Sequence, residues 1–214
     1  MKLNLNKTKV TIFNNSKKYD FDPILTLEDE DLQVVNECKL LGLSIRSGLK
    51  LKSNTEYVTF KAYKKLGIVR RRKNMGASKN YWKEVYIKQV RPVLEYAVPV
   101  WHSGITMKEN FAIKRVKKFL AKTILQGDYT SYKNSLNTLK FIDQKTRREK
   151  LRLNFALKAE KNAKFSKWFK PNKKRTTTRS KPTKYTQRKS RTRKYEKSSI
   201  TYLTQLLNTR QSEL

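Results

Sequence analysis

Apolar and polar residues alternate over residues 9–13 and again over residues 39–45, the period-two pattern of half-buried strands, and Ser47-Gly48 supplies a turn. The acidic stretch between them reads as a loop, so the first fifty residues predict a small β element. From Ser53-Asn54, an N-cap pair, the period becomes helical. Val58, Ala62, Leu66 and Val69 share one face, Lys61, Lys65 and Arg72 a neighbouring one, and an end is expected near Gly76. A second helix begins at Ser78; its stripe of Trp82, Val85, Gln89, Val93 and Ala97 is widened by Tyr86, Val90 and Leu94, and Pro92 kinks it. Thr106 and Glu109 form a capping-box pattern for a third. Its inward set is Ala112, Val116, Phe119, Leu120 and Thr123, its solvated set Lys114, Arg115, Lys117, Lys118 and Lys122, and Gly127 is its stop. A fourth starts near Lys145 and presents Leu151 and Phe155 on the way to Phe165, Trp168 and Phe169.

Over residues 171–199 the text turns to Lys, Arg, Thr and Ser with scattered Tyr, too little apolar surface to offset the entropy of ordering, and disorder is expected there in the unbound chain. Ile200, Leu203 and Leu207, with Tyr202 and Leu206, predict a short last helix that docks back and leaves the basic segment as a tethered loop. The expected class is α+β, predominantly α-helical, in four parts: residues 1–52, 53–170, 171–199 and 200–214. No internal repeat is present. No apolar run approaches the ~20 residues of a membrane span, and the opening residues lack the apolar core of a secretory signal, so an intracellular protein is expected.

Charge changes the picture most. The chain carries 51 Lys and Arg against 17 Asp and Glu, a net charge of +34, and self-repulsion at that density is relieved by a polyanion. Seven of the 17 acids lie between residues 20 and 37, which leaves the rest of the chain nearly uncompensated. Three Trp, 11 Tyr and 9 Phe interleave with the cations, which favours base stacking over lipid attraction, so nucleic acid is the expected partner and a membrane is not. The candidate phosphate-binding residues are Lys61, Lys64, Lys65, Arg70, Arg71 and Arg72, then Lys114, Arg115, Lys117 and Lys118, then Arg188, Arg191 and Arg193 in the tail. Phosphate contacts position a protein without reading sequence.

Candidate catalytic chemistry is sparse. The contiguous run Glu28-Asp29-Glu30-Asp31 has loop character rather than the convergent geometry of a two-metal site. One cysteine, Cys38, and one histidine, His102, make neither a zinc site nor an internal disulfide; Cys38 reads as a small buried residue, and His102 has no positioned nucleophile beside it. The six glycines form no phosphate-cradling loop.

Particular strings say more than composition. Residues 3–9 (LNLNKTK), 39–45 (KLLGLSI) and 90–102 (VRPVLEYAVPVWH), followed by 127–132, 147–151, 167–169 and 200–208, occur in an order and spacing that resembles the carboxy-terminal part of a non-LTR retrotransposon reverse transcriptase, an RNA-directed DNA polymerase. The resemblance covers nearly the whole chain and implies an end of the palm and a primer-grip-like hairpin over residues 1–52, with Lys7 near the departing pyrophosphate and Leu41 and Gly42 at the primer. It implies a thumb in the helices beyond. Leu51 stands where the family has Trp. The family's catalytic aspartates have no counterpart in this sequence, so the implied molecule is a truncated remnant that binds RNA, DNA or their hybrid without polymerase activity. It needs no cofactor of its own: Mg²⁺ belongs with the missing palm. The rest of a reverse transcriptase is a further implied partner, and a nuclear or cytoplasmic ribonucleoprotein the implied location. The competing expectation is a stand-alone basic structural RNA-binding protein.

Overall fold

The computed structural model describes residues 4, 8–13, 24–27, 30–72, 76, 78–172 and 183–211. Their architecture is α+β and predominantly α-helical. The chain divides into two compact units, Met1–Tyr57 and Val58–Leu214, with the boundary inside the first long helix.

The first unit holds three short strand pairs. β1 (Lys9–Val10) pairs in parallel with β4 (Gln33–Val34), and β2 (Thr26–Leu27) antiparallel with β3 (Glu30–Asp31), so the acidic loop is itself partly paired. Residues 39–45 are not one strand. β5 (Glu37–Leu40) turns into β6 (Leu43–Arg46) through Leu41 and Gly42, whose φ angles of 47° and 81° suit the right-handed twist of a two-residue hairpin. A second turn follows at Ser47-Gly48 as expected. Glu37 sits opposite Arg46, 3.3 Å from its Nε, and accepts a hydrogen bond from Ser53 Oγ at 2.9 Å. Ser53 and Asn54 therefore lie inside the first turn of α1 (Lys52–Arg72) rather than capping it. The Lys39 ammonium stands 4.6 Å from the centre of the Tyr57 ring.

In the second unit, α1 buries Val58, Ala62, Leu66 and Val69, the face its periodicity predicts; it runs to Arg72, and residues 73–75, before the expected end near Gly76, lie outside the described residues. The next helical stretch is broken. α2 (Lys79–Val85) passes through a π turn at Tyr86–Val90 into α3 (Arg91–Glu95), where Pro92 occupies the first turn, the place in which its missing N–H costs nothing. Ala97, at φ 52°, then turns the chain into α4 (Val98–Trp101). Trp82, Tyr86, Val90, Leu94, Val98 and Trp101 are the buried residues here; the wideners of the expected stripe are its core, and Gln89 is exposed.

α5 (Met107–Leu125) opens with the expected capping box: Thr106 Oγ1 accepts from the Glu109 amide at 3.3 Å, and Glu109 Oε2 accepts from the Thr106 amide at 2.5 Å. Its buried face is Ile113, Val116, Lys117, Leu120, Ala121 and Ile124, one position round from the expected set, and Gln126 rather than Gly127 takes the positive φ beyond its end. An unforeseen α6 (Tyr132–Thr138), capped by Ser131, packs on α5. α7 (Gln144–Lys161) buries Arg148, Arg152, Ala156 and Ala159 and leaves Leu151 and Phe155 half-buried, the reverse of the expected polarity.

Residues 173–182 of the expected disordered segment lie outside the described residues. Residues 183–192 are laid along the second unit: Tyr185 is buried against Phe169, its backbone bridges to Pro171, and Asn208 holds both its amide and its carbonyl at 3.0 Å. The entropy argument missed this because one buried ring and four backbone hydrogen bonds anchor an otherwise polar strand. After α8 (Arg193–Glu196), α9 (Ser199–Gln211) docks on α7 and α4; Leu203 and Leu207 join Ala156, Ala159, Phe169 and Tyr185 in a second core.

Candidate nucleic-acid interface

Opposite its buried face, α1 turns Phe60, Lys64, Gly67 and Arg71 outward, with Ile68 on the flank; Phe60 is 70% exposed. These positions follow from a 3.6-residue period once the inner face is known, so the aromatic and apolar members were legible as well as the cations. Gly67 is a gap in this row: a methyl group there would meet nothing nearer than Arg71 Nη1 at 3.7 Å. Lys61 and Arg70 are exposed to either side.

The two flanks of α1 meet different neighbours. Lys65 is half-buried, and its ammonium donates to the Gln89 carbonyl at 2.9 Å, which ties α1 to the π turn and withdraws one expected phosphate ligand. On the other side Tyr63 meets Phe119 of α5 edge to face, ring centres 5.9 Å apart. Burial raises the Tyr63 pKa, and the Arg115 charge opposes that rise. α1 and α5, separate in sequence, thus meet at Tyr63 and Phe119. Lys114 and Lys118 are exposed on α5; Lys114 stands 4.9 Å from the centre of the Tyr132 ring, and Lys122 5.3 Å from that of Tyr129. Acids are few here. α1 carries only Glu56, and Glu109 of α5 is engaged in its cap.

Lys117 is the exception to the solvated α5 row and is corrected here: it is 2% exposed, donates to the Ile142 carbonyl and lies over the Phe141 ring. Burial pushes its pKa down to about 8 against the pull of Asp143 and Glu95. It cannot meet a phosphate from the buried face. Arg72 closes α1. Lys7 lies outside the described residues. Leu41 and Gly42 form the hairpin tip of the first unit, Leu41 84% exposed in the left-handed region.

The tail cations form a separate group at the α7–α9 end. Arg188, Arg191 and Arg193 are exposed; Arg188 Nη1 donates to the Tyr195 hydroxyl at 3.3 Å and, with Lys170, Thr186 and Trp168, lines a small cavity. Among the described residues no group of three or more His, Cys, Asp or Glu is placed to hold a metal ion, and no helix is long and apolar enough to cross a membrane. Cys38 is half-buried on β5. Comparison with protein-family models, curated proteins and solved structures finds no match.

Proposed function

We propose that this chain binds nucleic acid through the outer faces of α1 and α5, in the manner of the template-primer-holding part of the reverse transcriptases it resembles. In this reading it is a remnant without the catalytic carboxylates, and any metal-dependent chemistry belongs to residues outside this sequence. The observation that carries it is the outward row Phe60, Lys64, Gly67 and Arg71 of α1, together with exposed Lys114, Arg115 and Lys118 on α5, the helix that α1 meets through Tyr63 and Phe119: cations and an exposed ring with almost no acid among them. Guanidinium and ammonium groups supply phosphate contacts, the ring a platform for an unpaired base, and the glycine a place where a backbone can approach the helix closely. Leu41, exposed at a strained tip, is the matching candidate for primer contact.

Fluorescence anisotropy with an RNA–DNA hybrid, duplex DNA and single-stranded RNA tests the reading. Binding should fall steeply with salt, and K64Q/R71Q should reduce the slope of log affinity against log salt by about two, one per lost phosphate contact. An unchanged slope in the variant would move binding off this face. Primer extension with Mg²⁺ should give no incorporation beyond a mock preparation. The stand-alone structural RNA-binding reading shares the salt dependence; it predicts a preference for structured RNA over the hybrid.

A further inference from the structure

Two arginines on the inner face of α7 lack the partners that buried guanidiniums require. Arg148 and Arg152, one helical turn apart, are each 1% exposed, and no described carboxylate lies within ion-pair distance of either. Arg148 gives one amino group to Asn110 Oδ1 in the first turn of α5, and its Nε and Nη1 have no hydrogen-bond partner among the described residues. Arg152 lies under the Tyr202 ring in the first turn of α9, 3.6 Å from its centre, and its Nε and Nη2 have no hydrogen-bond partner among the described residues. Those two atoms form the edge of a guanidinium that grips an oxyanion by two parallel hydrogen bonds.

The surroundings make the deficit worse. Both arginines couple electrostatically to His102, whose Nδ1 has no hydrogen-bond partner among the described residues, nor has Oγ of the adjacent Ser103. The first turns of α5 and α9 carry the positive ends of their helix dipoles. Asp143, Glu149 and Glu95 act on Arg148 from a distance, but Glu95 is paired with Arg147 at 2.5 Å and Asp143 is engaged by Tyr132 and the Lys145 amide. Two buried cations thus stand at the first turns of α5 and α9 with no paired anion among the described residues, and the 3₁₀ turn that carries His102 and Ser103 packs against α9. Burying charge without a counter-charge is among the costliest arrangements a fold can hold. His102 and Ser103 are half-buried and Gly104 is exposed, so this short 3₁₀ segment reaches the surface.

We propose that Arg148, Arg152, His102 and Ser103 form an internal oxyanion site for a phosphate group, separate from the α1–α5 face and independent of what that face binds. The group is either free inorganic phosphate or the terminal phosphate of a nucleic-acid strand.

His102 is the only histidine in the chain, so its ring proton resonances report the site without assignment. Burial, then the charges of Arg148, Arg152 and Lys145, holds its pKa down to about 3, and the ring should not titrate down to pH 4 in chloride buffer. Inorganic phosphate should shift its resonances saturably and raise its pKa by about one unit or more, because a bound anion offsets the two guanidiniums. The shift should persist in K64Q/R71Q and vanish in Arg152→Gln. Ser103→Asp is the second variant: a carboxylate supplied in place should raise the His102 pKa without phosphate, raise Tm and abolish the phosphate response. A 5′-phosphorylated oligonucleotide that shifts His102 where its dephosphorylated twin does not would assign the site to strand ends; a shift with inorganic phosphate alone would assign it to the free ion. No shift with any of the three probes, a phosphate shift equal in the parent and Arg152→Gln, or a Ser103→Asp protein that is destabilised with the phosphate response intact would overturn the proposal.

Discussion

Lys117 shows how much one residue's position costs and what reports it. Its ammonium is buried with a backbone carbonyl and an aromatic face as partners, and folding lowers its pKa from 10.5 to about 8. Between those values the unfolded chain binds the extra proton, so this residue makes stability rise with pH from about 8 to 10.5; below pH 8 its full cost is present. Other lysines also titrate there, so the difference between parent and variant is the clean measure. Lys117→Met should gain most relative to the parent at pH 7, and its advantage in Tm should shrink as pH approaches 10. A constant difference across that range would mean the ammonium is solvated. The same residue explains an error of reading: Lys at the centre of the α5 face was assigned to water by type, although Ile113, Val116, Leu120 and Ile124 already placed it inside by period.

Helices and strands carry the next two expectations. Gly67 sits in the outer face of α1 where an added methyl would make only ordinary contact with the Arg71 guanidinium, and a helix-interior glycine costs about 0.5–1 kcal/mol relative to alanine. Gly67→Ala should therefore raise stability by that amount in thermal unfolding while weakening hybrid binding if a nucleic-acid backbone closes on the gap; stabilisation with unchanged affinity would remove Gly67 from the interface. The strand at Tyr185 depends on Asn208, whose side-chain amide completes both backbone groups of a buried residue. Asn208→Ala leaves them unsatisfied, and a loss of about 2–4 kcal/mol is expected from two such groups. Amide exchange at Tyr185 and Thr186 should accelerate in the variant before that of α5. Unaltered exchange would show that Phe169 and the backbone hydrogen bonds to Lys170 and Asn172 hold the strand without Asn208.

For the whole molecule, charge is the governing quantity. A net +34 distributed over surfaces with few acids makes each bound phosphate release counterions, and engagement of about six to ten phosphates would lower affinity by about 10³ to 10⁵ between about 50 and 200 mM salt. A flat profile would remove the electrostatic reading altogether. The chain separates this demand into parts: the α1–α5 face and the tail group leave their cations in water, while Lys117, Arg148 and Arg152 are drawn inside. The first are suited to a polyanion, the second to defined local partners.

Much of this was decided by sequence alone, because it depends on local spacing. The inner face of α1, the Thr106–Glu109 cap, the turn at Ser47-Gly48 and the apolar seam of α9 each rest on residues within a few positions of one another, so the period and the cap chemistry suffice. Tertiary structure decided which cations are available. Arg148 and Arg152 face inward because Asn110 and Tyr202, 38 and 50 residues away, meet them there, and Tyr185 is ordered because Asn208 reaches it across 23 residues. Charge fixes how strongly a chain is drawn to an anion, but burial fixes where, since desolvation acts only after distant segments have closed over a side chain.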